Sequence, residues 1–534
     1  MRRPFRSVLG LPVVGLAALC VAVASCGGSS GGASGKPPDE TSPVLRVGVL
    51  DSGGRDPALA VAPDAALLAD LLYDTLVDLD PATSEPLPGL AVEWTPNDDL
   101  TEYTFTLADD ATFHDGTPVT AADVKASLER VADPGVESPL TVNLVAVEGY
   151  GAVRAGDTSE LSGVTTPNDA TVVIALSAPF AELPETLAHP GFGVLPASVA
   201  NDGDPTVTPI GSGPFEVADP HETDPLRLVR FDDHVSQPAA LDAVEVTRFD
   251  DTKATTAAFE AGDIDLASGP IGGDPDSAPV VARGPGTVPY VAETLLALNL
   301  RGFSFDDDTF REAIVRAVDR GRVAASAADA GVRALGGLIP AGVPGASDNA
   351  CTGVCSYDPA AAKKLVDEAF PDGDVPELAL DYFENPVNNA LVLRIAAQLD
   401  EIGVPIAARP HPRGDYAAFL ASGDADLFLL GWVGDAPTAG SFLAPLFRST
   451  SGENVIGVDE PEVDLLLAKA QMTADPAERA ALYRDAERAV LATHAVLPLI
   501  QFETRFLVAD TVENLAVDAL GTIDAVAVDV TRAL

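Results

Sequence analysis

Side chains able to do covalent or metal chemistry are few in this sequence, and they are scattered. The six histidines, His114, His189, His221, His234, His411 and His494, stand at no metal-ligand spacing with one another or with cysteine. There is no Gly-x-Ser-x-Gly elbow and no glycine-rich loop ending in Lys-Ser/Thr. Carboxylates are abundant, 81 Asp and Glu, so an extracellular carboxylate-pair hydrolase stays open as a distant alternative, with no pair singled out. Cys351 and Cys355 lie in the run Cys-Thr-Gly-Val-Cys. In an exported chain that spacing predicts a local, structural disulfide. The rival is a metal site, which needs two more ligands that no nearby histidine supplies. What remains is recognition without catalysis, with no cofactor and no metal expected.

Export is written into the first residues. Arg2, Arg3 and Arg6 form a basic start, Leu9 to Ala24 carries no charge, and small Ala24 and Ser25 precede Cys26. The apolar run falls short of the roughly 20 residues that a spanning helix needs; a short membrane anchor is the competing reading. The tetrad Val23-Ala24-Ser25-Cys26 resembles the bacterial lipobox. That resemblance implies removal of a 1–25 signal peptide, Cys20 included, and acylation of the Cys26 thiol, with several acyl chains holding a mature chain of 534 − 25 = 509 residues at a membrane. Residues 26–43, rich in Gly and Ser and then Pro, read as a tether, with a reach of roughly 20–25 Å.

With 47% hydrophobic and 21% charged residues the body is globular rather than disordered. The whole chain's 32 basic against 81 acidic residues make a surface that repels nucleic acid and anionic lipid, so no nucleic-acid partner is expected. The acids are spread as a solvated shell; a field steering cationic ligands inward is the alternative.

Strand and helix patterns alternate through the body. Leu45 to Leu50 and Tyr103 to Leu107 have period-two patterning, and further strands are expected at 171–176, 226–231, 243–249, 295–300, 426–430 and 497–502. Thr120-Ala-Ala-Asp123 opens a helix as a capping-box variant, with Val124, Leu128 and Val131 on one face. Thr309 is the start signal for another helix, and Asp358-Pro359 and Asp475-Pro476 each place a cap before a proline at the first helical position. The result is a mixed α/β chain, too long for one sheet over one core, with two or more lobes.

Several segments resemble the extracellular solute-binding proteins of family 5, the peptide, dipeptide and nickel group. The longest is Phe113-His-Asp-Gly-Thr-Pro-Val-Thr-Ala-Ala-Asp-Val-Lys-Ala-Ser-Leu-Glu-Arg130. Pro209-Ile-Gly-Ser-Gly-Pro-Phe215, Phe259-Glu-Ala-Gly-Asp-Ile-Asp-Leu266 and Arg311-Glu-Ala-Ile-Val-Arg-Ala-Val-Asp-Arg320 follow in the family's order. So do Tyr357 to Leu365, Gly431-Trp-Val-Gly-Asp435 and Asp459 to Asp464. Most of these have plain structural readings: Asp115-Gly116 is a turn, and Gly211 and Gly213 permit backbone angles that other residues avoid.

The resemblance implies a two-lobed periplasmic-binding-protein-like fold of type II, cluster C. Lobe I would span 44–290 with a subdomain at about 60–185, lobe II 291–499, and residues 500–534 would return to lobe I. Hinge strands would let the lobes close on a ligand. It implies a solute-binding lipoprotein of an ABC importer, a monomer on the outer face of the cell membrane, handing a short peptide to permease subunits driven by a cytoplasmic ATPase. The peptide would pair backbone to backbone with Asp51, Ser52, Gly53 and Gly54 after the first strand, and with Val433, Gly434 and Asp435. Asp435 aligns with the family carboxylate that meets the peptide's ammonium group; a surface-loop acid is its bland alternative. Trp432 either walls the pocket or fills the core. Ala436-Pro437-Thr438-Ala439-Gly440 departs from the more polar stretch of peptide binders, so a nickel complex, an opine or a sugar stays open as the ligand, as does a peptide-sensing rather than a transporting role. Arg409, Arg413 and Arg505 are unranked candidates for the ligand's far end.

Overall fold

The computed structural model describes residues 43–50, 55–221, 224–269, 287–302, 305–328 and 331–531. Cys26, Ser52, Gly53, Asp51 and Gly54 lie outside these residues.

The predicted strands form around alternating burial. Val44–Val49 buries Leu45, Val47 and Val49, and Glu102–Leu107 buries Tyr103, Phe105 and Leu107. An 11-stranded sheet organises the molecule, with an antiparallel four-stranded sheet beside it built from Ala91–Pro96, Glu102–Leu107, Thr171–Ala175 and Val164–Asn168. In the large sheet Leu378–Phe383, Ile406–His411 and Leu427–Val433 run parallel, as do Val44–Val49, Ala243–Arg248 and Leu266–Gly269. Between these sets lie two long antiparallel strands, Thr287–Leu298 and Val496–Val508. One set is in register with residues 292–298 of the first long strand, the other with residues 505–508 of the second. The two sets therefore run in opposite directions and occupy opposite ends of the long pair. Their carboxyl ends point at one another over its middle, where the pairing register shifts between Pro289 and Glu293. Crevices outside the carboxyl ends of parallel strands are where ligands bind in α/β sheets.

The long strands exceed the stretches predicted at 295–300 and 497–502. The apolar runs mark only their buried centres, and pairing on both sides carries them further. The helix signalled by Thr309 is Asp308–Ala317, and its cap is Asp307, whose carboxylate accepts from the Thr309 N–H at 2.8 Å. Asp358 and Asp475 cap Pro359–Ala369 and Pro476–Ala492 as their sequences indicate.

The longest family segment is a structural staple. The Asp123 carboxylate accepts from the backbone N–H of Thr120 at 2.8 Å, from its hydroxyl at 2.6 Å and from the Ala197 N–H at 2.7 Å. Asp123→Ala is expected to cost about 1–3 kcal/mol, because it strands buried donors; denaturant unfolding followed by circular dichroism checks this. His114 bridges to the 209–215 turn: its N–H donates to the Gly211 carbonyl at 2.8 Å, and Nε2 lies 3.0 Å from the Gly213 carbonyl. Neither glycine takes a positive φ, which corrects the reading of a special backbone angle there. Space is the reason: a Cβ on Gly211 would stand 1.9 Å from the Leu72 carbonyl oxygen, and one on Gly213 2.6 Å from the Leu72 carbonyl carbon.

Among the described residues, buried side chains fall into two cores. One gathers Leu45, Val47, Val244, Val246, Phe506 and Val530; the other runs without a break from Phe105 and Val124 to Leu296, Leu429 and Val490. Cys351 and Cys355, both buried, are joined in a disulfide with a Cα–Cα distance of 5.2 Å. Among the described residues no helix is long and apolar enough to cross a membrane.

Candidate functional site

Asp435 leaves the carboxyl end of Leu427–Val433, next to the middle of the long strands. Val433 pairs with Ala292, and the Gly434 N–H continues the ladder to the Val291 carbonyl at 2.8 Å. The loop behind is fixed from its far side. The Trp432 indole N–H donates to the Ser441 carbonyl at 2.8 Å, and the Ser441 hydroxyl is within 2.7 and 2.8 Å of the Ala436 and Thr438 carbonyls. Trp432 is half-buried against the core. A Cβ on Gly434 would meet the Phe442 ring at 2.6 Å, so the absent side chain admits Phe442 from behind.

The Asp435 carboxyl is half-buried, and burial pushes its pKa above the usual range while a hydrogen bond pulls it back. That bond comes from the Asn143 amide at 3.1 Å, its one side-chain donor among the described residues. Asn143 belongs to the 3-10 turn Pro139–Leu144, 292 positions away in the chain. Burial pushes the phenol of Tyr290 up to about 12, and the nearby Asp435 charge adds to the rise. Close in sequence to Asn143 and Asp435 are exposed apolar side chains: Val142 at 57%, Val145 at 64% and Val433 at 51%. A half-buried carboxylate with spare acceptor capacity and exposed apolar side chains on its flanking segments is suited to a cation carried on an organic body.

The free edge of the strand adds a second capacity. Pairing between Leu378–Phe383 and Leu427–Val433 stops at Asp381 with Phe428. Gly431, Trp432 and Val433 thus have no strand partner on that side among the described residues, and an extended ligand can use their N–H and C=O groups. Beyond the same carboxyl ends, the Arg413 guanidinium rests 5.6 Å from the centre of the Phe383 ring, with no carboxylate partner among the described residues. Arg409 is exposed on the edge strand; burial raises the pKa of Asp381, and the charges of His411 and then Arg409 offset part of that rise. His411 is engaged with Asp381 at 2.7 Å and stacks on Phe419. The side chain of Arg505 lies outside the described residues. The loop 436–440, which departs from the polar pattern, is buried throughout, so its apolar composition follows from packing.

Sequence reasoning missed Asn143 and Tyr290. The exposed valines flanking Asn143 are the one local oddity, and they become visible only when burial is known.

Residues 85–454 match the profile of the bacterial extracellular solute-binding proteins, family 5 (middle). The chain belongs to this family. Its relatives include the glutathione-binding protein of Salmonella typhimurium, 26% identical over 428 residues, covering 77% of this chain and 80% of the relative. The probable di/tripeptide-binding protein 5 of Pseudomonas aeruginosa is 26% identical over 475 residues, covering 85% and 89%. Among solved structures, the unliganded open form of the periplasmic murein tripeptide binding protein superimposes with a TM-score of 0.80 at 23% identity, covering 93% of this chain and 98% of that one. The two-lobed fold of family 5 binding proteins is thereby shown for this chain. Family 5 proteins bind solutes and are not a family of enzymes.

Proposed function

We propose that this protein captures a short peptide by its free amino terminus and delivers it to the permease of an ABC importer. The observation that carries the reading is Asp435, a half-buried carboxylate with one hydrogen-bond donor, placed where the carboxyl ends of two opposed strand sets meet. An α-ammonium group is the chemistry it lacks. The unpaired edge of Gly431–Val433 supports backbone pairing, and the glutathione- and di/tripeptide-binding names of its relatives agree in ligand class. Arg413 is the favoured cation for the ligand's carboxylate, because it stands free beside the same strand ends while His411 is engaged. Ser52 and Gly53 complete the opposite wall in this reading.

The lobes are taken as 44–290 with 500–534, and 291–499, with the two long strands as hinge. Export with a lipid anchor on Cys26 would hold the binding protein outside the membrane beside its permease, as a monomer.

A thermal-shift screen of di- and tripeptides tests the proposal. A true ligand at 100 times its dissociation constant adds about 2.7 kcal/mol of stability. If no peptide raises the melting temperature, the peptide reading fails.

A further inference from the structure

A cavity of about 500 Å³ opens between the four-stranded sheet and the helix Pro476–Ala492, with Pro437, Thr438 and Ala439 from the far end of the Asp435 loop in its lining. Its volume lies within the roughly 300–1,000 Å³ of small-molecule sites. Asn143, Tyr290, Trp432, Val433 and Asp435 are not among its lining residues. Trp94, Leu100 and Tyr103 form one wall, with Ala480 on the helix side. Charged and polar groups sit together on it: Glu182, Glu185, Arg479 and Tyr483.

These groups do not balance. Glu182 Oε2 accepts from the Tyr483 hydroxyl at 2.7 Å, while Oε1 is 3.4 Å from the Gly440 N–H, at the limit of a hydrogen bond. Glu185 Oε1 accepts from Arg479 at 2.9 Å. Glu185 Oε2 is buried with no partner among the described residues, on a residue only 7% exposed. A third carboxylate, Glu85, is exposed on the cavity's lining. Three acids thus face one guanidinium, which gives Glu185 a single bond and spends its other donor on the Thr473 and Ala474 carbonyls at 3.2 and 3.3 Å. A buried carboxylate oxygen without a donor costs free energy that a bound cation recovers. Burial and the charge of Glu185 push the Glu182 carboxyl up to about 7, and burial raises Glu185 as well.

We propose that this cavity is a second binding site, separate from the Asp435 cleft, for a small aliphatic amine, with a diamine favoured. One ammonium group takes the free acceptor positions of Glu185 and Glu182. The methylenes lie along the apolar wall of Trp94, Leu100 and Tyr103, where aromatic faces also favour a cation. The second ammonium group balances Glu85. Carboxylates and phosphates are excluded by the same charges.

Titration calorimetry with 1,4-diaminobutane, butylamine and butane-1,4-diol on the folded chain tests this. The diamine binds more tightly than butylamine, and the diol gives no heat. Binding at pH 7 releases protons, because an ammonium group beside Glu182 favours its ionised form; runs in two buffers of different ionisation enthalpy read this out. Glu185→Gln weakens the diamine at least about tenfold, and Ala480→Phe, which fills the space without touching the acids, abolishes binding. Asp435→Asn leaves diamine affinity unchanged. The proposal is overturned if no amine binds. It is equally overturned if Asp435→Asn removes the binding and Ala480→Phe does not, which would put the amine in the main cleft.

Discussion

Asp435→Asn is expected to weaken peptides with a free amino terminus by about 30-fold to several thousand-fold, and to leave N-acetylated peptides nearly unaffected. The size follows from removing one partner of a desolvated, hydrogen-bonded charge pair, which costs about 2–5 kcal/mol. Asparagine keeps the shape of the side chain, and the surrounding loop is tied by Trp432 and Ser441 rather than by Asp435 itself. The fold therefore survives the change, and melting without ligand should move little. Acid has a parallel effect on the unaltered protein. Because burial raises the free carboxyl, it takes up a proton at a higher pH than an exposed aspartate does, and ammonium binding falls as pH drops through that raised value. Calorimetry on matched free and acetylated tripeptides checks the difference. Equal losses for both would remove the ammonium contact and leave Asp435 as a loop acid.

Much of the scaffold could be read from spacing because its causes are local. Asp358 and Asp475 precede prolines, and a cap followed by a fixed φ admits one reading. At 306–308 three consecutive aspartates compete for the same job, and only tertiary packing selects Asp307. The two long strands were half-legible: Glu293 interrupts the apolar run of the first, so local pattern ends the strand where cross-strand pairing continues it. The site divides the same way. Asp435 and Trp432 stand in a segment with a family pattern, whereas Asn143 reaches Asp435 across 292 positions, and no periodicity encodes such a contact. Gly434 has a reason that the local pattern does not carry: a Cβ there would meet the ring of Phe442, packed behind it from further along the chain.

Glu293→Met is expected to stabilise the protein by about 1–4 kcal/mol at pH 8, and by much less at pH 4.5. Glu293 is fully buried on the first long strand, between Trp432 and Gln501 in register, and neither carboxyl oxygen has a partner among the described residues. The polar atoms of Gln501 are already used, by the Tyr290 and Ala341 carbonyls and the Ala341 N–H. The charged neighbour is another acid, Glu487, itself pushed up to about 7 by burial. One Glu487 oxygen accepts from Leu338 and Ile339, and the other has no partner among the described residues. Burial first, and then the Glu487 charge, hold the Glu293 pKa well above the ordinary glutamate value of 4.5. The native state therefore keeps a proton that the unfolded chain gives up. Below pH 4.5 both states are protonated and Glu293 contributes no pH dependence. As pH rises above that value the unfolded chain ionises first, so stability falls until the folded pKa is passed. Methionine has similar length and no charge, so its variant escapes that loss. Urea unfolding at pH 4.5, 6 and 8 measures the gap between the two proteins, which must widen with pH. A gap that stays constant would mean that Glu293 is ionised in the native state and held there by a cation, and the first long strand would then carry an ion rather than a buried acid.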